Sequence, residues 1–415
     1  MVDAVALRLV SAAGLGAVLA LPTASAQTVP DMPGVAYTVG VSALHDDNLF
    51  RIPDGADPRA FGFSTDDRGD TAFTPYFNVD DTILYSLQRI TLSAGVSRQM
   101  LRINPSFDQT YFVYRGDWLW RAGDEFSGDL SDSQQQSQTS QADVRSSEAN
   151  KQTYRAWHAS ADWRPRPDRR LGLSFDNSTG SNSASILLPN DFHTTIGRVE
   201  LGIQSDLGHE IVVGLSQTRN EYPNRVISPV APIDNTYRQR QIDIGTHFTV
   251  SDLTGMDVRF GYARRYYSDV PDRDFSGPVG SLGLTWQPTG LISVRLNVGR
   301  DLNEVIDAFR IYSVTTNSQA SLTYELSAAI QLTAGADASR VDYKGVPQNL
   351  LTFLYGPGPS RVDKYLDVKL GVAWLPRDRV TVRLDLVASR RNSTLQEYQF
   401  EDLSTQLGLQ YRIGP

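Results

Sequence analysis

Hydrophobicity in this chain alternates from one residue to the next, and this alternation constrains the fold more than any other feature. Between residues 273 and 301, Leu282, Leu284 and Trp286 fall on one side while Ser281, Gly283 and Thr285 fall on the other. After the tight turn Pro288-Thr289-Gly290, Ile292, Val294, Leu296 and Val298 resume the apolar side, opposite Ser293, Arg295, Asn297 and Gly299. A period of two belongs to a strand, not a helix, and two such runs around a short turn read as an antiparallel hairpin. A soluble sheet alternates in the same way, so a single hairpin decides nothing. What decides is recurrence.

The same plan begins at Gly34 with Val35, Tyr37, Val39, Val41 and Ala43, and ends with Leu403, Leu407, Leu409, Tyr411 and Ile413. Between them Trp157, Ala159, Ala161 and Trp163 give way to Leu171, Leu173 and Phe175. Likewise Leu366, Val368, Leu370, Val372 and Trp374 turn at Pro376-Arg377-Asp378 into Val380, Val382, Leu384 and Leu386. Short turns alternate with longer polar loops near 46–70, 180–190, 220–235 and 344–361. The expected fold is all-β, a transmembrane antiparallel up-and-down β-barrel of about 18 (16–18) strands, with short periplasmic turns and longer outer loops. Lipid demands such closure, because each backbone donor and acceptor at membrane depth needs a partner within the sheet. The first strand (35–45) is expected to pair with the last (398–413). The Ser/Gln-rich stretch 131–150 resists burial and is expected at an outer loop with strand extensions.

Composition narrows the remaining classes. The chain has 415 residues, a formal net charge of -8 and no long basic run, which argues against a nucleic-acid partner. It has no cysteine, which excludes disulfides and Cys-ligated metals and suits an oxidising compartment. Residues 4–21 are apolar apart from Arg8 and Ser11, and Ala24-Ser25-Ala26 supplies a small-x-small cleavage pattern. Residues 1–26 therefore read as a signal peptide and 27–415 as the barrel. An N-terminal membrane anchor is the alternative for the first segment.

If the apolar set meets lipid, the opposite set faces a lumen too wide for side chains to fill. The lumen-lining candidates are Arg259, Arg265, Arg295, Asp301, Asp337, Asp367, Lys369, Arg383, Asp385 and Arg391. They either guide a hydrophilic solute or pair across strands and stiffen the wall. Trp120, Trp163, Trp286 and Trp374 fall just before short turns, where an interfacial aromatic girdle belongs. Tyr37, Tyr154 and Tyr365, with Tyr266 and Tyr267 near an outer mouth, are candidate stacking platforms for sugar rings, with a girdle role as the alternative. The acidic residues Asp46, Asp47, Asp66, Asp67 and Asp70 show no ordered calcium-ligand spacing and read as a solvated loop. The histidines His45, His158, His193, His209 and His247 are scattered and form no recognisable triad or metal-ligand spacing. No enzyme, cofactor or metal site is expected. An inward-folded constriction loop would mark a diffusion channel, with 46–70 and 344–361 as its candidates.

Several stretches together resemble a known family. They are Asp46-Asp47-Asn48-Leu49-Phe50-Arg51, the run Tyr111 to Trp120 (YFVYRGDWLW), and Asp272-Arg273-Asp274-Phe275-Ser276-Gly277 leading into Leu284-Thr285-Trp286-Gln287-Pro288-Thr289-Gly290. In this order they look like the EpsL-type outer-membrane β-barrels associated with exopolysaccharide operons, part of a broader porin-like group. The resemblance implies a channel or accessory for polysaccharide export, working with inner-membrane or periplasmic export components. The C-terminal strand, with Gly408, Tyr411 and Ile413, is similar to the signal read by the barrel-insertion machinery, although it ends Gly414-Pro415 rather than on an aromatic. The alternative is a general diffusion porin for small hydrophilic solutes.

Overall fold

The alternating runs fold into a single sheet. A computed structural model describes residues 33–206, 209–225, 236–268, 271–304, 312–345, 356 and 358–414. The expected leader, 1–26, and most of the loop at 344–361 lie outside the described residues. In chain order the strands are β1 (Gly34–Asp46), β2 (Asp70–Tyr85), β3 (Gln88–Leu101), β4 (Gln109–Ala122), β5 (Phe126–Gln138) and β6 (Lys151–Arg166). Next come β7 (Arg169–Asn182), β8 (Phe192–Gln204), β9 (Glu210–Glu221), β10 (Tyr237–Ser251), β11 (Thr254–Tyr267) and β12 (Phe275–Thr289). The last six are β13 (Ile292–Glu304), β14 (Tyr312–Ser327), β15 (Ile330–Lys344), β16 (Val362–Arg377), β17 (Val380–Ser393) and β18 (Phe400–Ile413).

Each strand pairs antiparallel with its sequence neighbours, and β1 closes the ring on β18, from Tyr37 opposite Ile413 to Asp46 opposite Ser404. The eighteen-strand barrel is therefore closed, as the alternation predicts. No whole strand is left as an edge to seek a partner. Two-residue turns such as Ser86-Leu87, Asp252-Leu253 and Asp378-Arg379 crowd one rim, while the longer connections crowd the other. By the outer-membrane rule the first rim is periplasmic and the second is outer.

Parity sorts the side chains. Val39, Leu201, Ile203, Leu215, Phe260 and Leu370 stand exposed on the outward face, whereas Asp243, Arg265, Asp363 and Arg391 turn inward and are buried. A belt of exposed aliphatic and aromatic residues around a closed barrel is the reverse of a soluble protein, and it fits a lipid surround.

Two places depart from the regular ladder. β4 and β5 pair only from Tyr114 opposite Gln134 down to Ala122 opposite Phe126, so the outer ends 109–113 and 135–138 bond only to their other neighbours. The Gln136 side chain bridges this seam, its Oε1 accepting from the Phe112 backbone N–H at 2.9 Å. Residues 131–138 are thus wall and 139–150 loop, the outer loop with strand extensions expected of the Ser/Gln-rich stretch. Its glutamines bond to the barrel rather than needing an apolar environment. The second departure lies between β12 and β13, where pairing stops at Gly280 opposite Arg300. Beyond it Leu302 and Val314 pack with Phe275, Val279, Ala263, Tyr237 and Tyr267. Leu302 and Val314 share the outward parity of their strands, while Phe275 and Val279 face inward. The outer end of the β13–β14 hairpin therefore tucks inside the wall.

Candidate functional site at the outer mouth

Three segments fold into the outer mouth. The first is the loop 47–69. Its turn is built by Asn48, whose Nδ2 donates to the carbonyls of Ile52 (2.9 Å) and Glu401 (2.8 Å), while its Oδ1 accepts from Ile52 N–H (3.1 Å). Arg51 takes a left-handed backbone, φ 53, which a non-glycine residue adopts only when its surroundings hold it there. They do. Its Nη1 donates to Asp46 Oδ1 (2.9 Å), to Asp402 Oδ1 (3.0 Å) and to the Asn48 carbonyl, and its Nη2 donates to Asp46 Oδ2 (2.9 Å). Burial works against the Arg51 charge, but Asp46 more than reverses this and raises its pKa. Beyond this clamp Phe50, Ile52 and Phe63 cover the inward-facing Ala72 and Leu101, with Phe50 stacked on Phe63 at 3.9 Å.

The second segment is the loop 139–150. It leaves β5 and reaches β17 and β16, six and seven places around the ring by way of β1. There Asp143 Oδ1 accepts from Arg361 Nη2 (2.8 Å) and Arg391 Nη2 (2.7 Å), and the Ala142 carbonyl accepts from Arg391 Nη1 (3.0 Å). Both arginines also donate to the fully buried Asp363, at 2.9 and 2.6 Å, and Tyr343 Oη donates to the same carboxylate at 3.1 Å. Burial opposes the charge on Arg361, yet the hydrogen bond to Asp363 and the nearby charges leave its pKa raised. Arg145 crosses to the first loop, donating to the Arg51 carbonyl (3.0 Å) and the Glu397 carbonyl (2.6 Å) over the Phe61 ring (4.6 Å). Burial, with Arg391 beside it, pushes the Arg145 pKa down. The two loops lock each other against the inner wall.

The third segment is the tucked end of β13–β14, where Tyr312 stacks on Phe275 at 3.9 Å. Arg265 lies over Tyr237 (3.9 Å) and Phe275 (4.9 Å) and donates to Gln239 Oε1 (3.1 Å from Nε).

Below the mouth the inner wall carries a ladder of opposite charges. Arg170 spans Asp162, Glu200 and Glu210 at 2.9, 3.0 and 2.9 Å. Arg198 continues the ladder to Glu200 (2.6 Å) and Asp243 (2.7 Å), and Arg259 meets Asp243 at 3.7 Å. On the far side Lys369 pairs with Asp337 (3.0 Å) and Arg383 with Asp385 (2.6 Å). Asp367 sits directly across from Asp337 in the register. Asp301 faces inward near the tucked hairpin. Arg295 is exposed on the inner face and has no ion pair among the described residues.

All ten lumen candidates carry inward parity, but the structure brings them into separate groups rather than one site. Sequence reasoning missed Arg51, Asp143, Arg145, Arg361, Asp363 and Asp402. Of the five tyrosines, Tyr37 is outward at the short-turn rim and Tyr266 outward at the other, so neither reaches the mouth interior. Tyr365 does, with Arg391 above its ring at 5.0 Å. Tyr154 and Tyr267 have inward parity. Asp46 is clamped by Arg51, and Asp70 accepts from the backbone of Arg102, Ile103 and Asn104, so neither belongs to a solvated loop. Trp163, Trp286 and Trp374 are exposed on the outward face beside short turns, while Trp120 is half-buried against Gly128. Tyr411 and Ile413 point outward, and Gly408 points inward opposite Ser42.

Closure, the apolar belt and the two unlike rims together define a porin-like outer-membrane β-barrel. Residues 235–413 match the model of the family described as "Putative beta-barrel porin 2". A comparison with curated proteins gives no match. Among solved structures, the chain is similar to OccK9 (OpdG) of Pseudomonas aeruginosa at 11% identity and a TM-score of 0.47, covering 91% of this chain and 98% of that one. It is also similar to the siderophore receptor PirA of Acinetobacter baumannii at 10% identity and a TM-score of 0.45, covering 92% and 81%. The fold rests on the strand pairing itself, not on these likenesses.

Proposed function

We propose that the barrel is a passive, water-filled channel for small hydrophilic solutes, narrowed at its outer mouth by 47–69, 139–150 and the tucked β13–β14 hairpin. The observation that carries this reading is the loop 139–150, bent inward and anchored at Asp143. A segment held inside the mouth by buried charge pairs sets a pore size instead of leaving it to a mobile loop. The paired charges below stiffen the wall, while the exposed Arg295 faces the solute path. In this reading Trp120, Trp163, Trp286 and Trp374 mark the inner lipid interface, residues 1–26 direct export, and the β18 end guides the insertion machinery.

Single-channel recording in planar bilayers tests the channel reading. The parent protein is expected to give discrete steps, and Asp143→Asn larger or noisier ones, because the loop then holds the two arginines with a neutral side chain. Absence of steps in the parent, with correctly folded protein, would reject the channel. A second reading, polysaccharide export, draws support from the family resemblance and from Tyr343, Tyr365 and Tyr398 gathered around Arg361 and Arg391. It requires inner-membrane or periplasmic partners. Loss of secreted polymer on gene deletion, with small-solute uptake unchanged, would favour it over the diffusion channel.

A further inference from the structure

Above the apolar belt, the outward face of β9, β10 and β11 carries four arginines with little to balance them. Going outward along each strand, Leu215 leads to Arg219, Ile244 and Ile242 lead to Arg240 and Arg238, and Phe260 and Tyr262 lead to Arg264. The register sets Arg219 directly opposite Arg238, and Arg240 directly opposite Arg264. Like charges opposite one another on a sheet face repel, with Cβ atoms about 5 Å apart. Elsewhere on the same rim some outward arginines have acidic partners, Arg340 with Asp342 (3.0 Å) and Arg390 with Glu401 (3.0 Å), and those without one among the described residues, Arg98, Arg155 and Arg300, stand singly rather than opposite another arginine. In this patch Arg219 alone has one among the described residues, Glu221 at 2.7 Å, and Arg264 lies over the Tyr266 ring at 4.6 Å. Arg238 and Arg240 form no ion pair among the described residues.

We infer that this face binds the headgroup of an outer-leaflet lipid carrying more than one phosphate. The pattern is two arginine pairs, offset by two residues along β10, which is about 7 Å at strand rise. Each pair sets two arginines directly opposite one another on neighbouring strands, within reach of one phosphate, and the planar guanidinium fork suits such an oxyanion. Exposed Ile242, Leu215 and Tyr262 lie immediately below on the same face, so acyl chains would continue down the wall from the headgroup. A soluble anion would leave that apolar contact unused, which favours a lipid as the occupant. The site is on the outside of the barrel and does not depend on the channel reading.

Binding of the full-length barrel to bisphosphorylated lipid A and to phosphate-free lipid A, followed by native mass spectrometry in detergent, tests the inference. The parent is expected to bind the phosphorylated form about tenfold more tightly or better, and Arg240→Gln/Arg264→Gln is expected to lose that preference. Arg390→Gln, whose arginine already has an acidic partner, should keep it. Equal binding of both lipids by the unaltered protein would overturn the inference without recourse to any variant. So would an unchanged preference in the folded double variant, or complete displacement of the lipid by millimolar inorganic phosphate.

Discussion

Arg51 carries more of the mouth than any other side chain. It satisfies two inward carboxylates on β1 and β18, and it does so from a strained backbone position. Replacing it with alanine leaves Asp46 and Asp402 facing each other without a cation. Arg51→Ala is expected to cost about 3–5 kcal/mol, read as a lower urea midpoint for the refolded barrel, and Asp402→Asn in the same chain should restore part of the loss. The Asp46–Arg51 run stood out in the sequence as a motif, so this residue was within reach of reading. The anchor at Asp143 was not. Its partners Arg361 and Arg391 lie 218 and 248 residues away, and no local pattern couples positions so distant. The only hint was that Asp143 and Arg145 bring two of the few charges into a Ser/Gln-rich stretch.

At the scale of elements, strand placement was legible because parity repeats the same choice along each run, and the turns punctuate it. Strand β5 was harder. Ser and Gln have little strand preference, and its outer half belongs to the wall because β6 pairs with it from Gln138 opposite Lys151 downwards. The inward tuck of β13–β14 was invisible for a different reason: displacing a hairpin towards the axis leaves its alternation unchanged. Gln136 offers a direct check on the seam it bridges. Gln136→Ala removes the bond across the seam to Phe112 and a second from Nε2 to Thr153 Oγ1 (3.3 Å), each worth about 1 kcal/mol. Amide exchange should therefore speed up at Phe112 and its neighbours, while the paired lower half of β4 stays protected.

At the scale of the whole molecule, the assignment of faces supports every functional statement, and the absence of cysteine makes it easy to probe. In liposomes Arg295→Cys is expected to react with a charged thiol reagent, while Leu296→Cys, one residue along the same strand, stays protected. Equal labelling of both would remove the distinction between lipid side and water side. The unladdered lengths of β4 and β5, and of β12 and β13, have a mechanical consequence. A cylinder stitched by hydrogen bonds resists sideways tension in proportion to its stitches, so this one is expected to yield first along its two short seams, between Phe112 and Gln136 and between β12 and β13 above Gly280. Thicker or stretched bilayers should widen those slits before they disturb the fully paired parts of the cylinder.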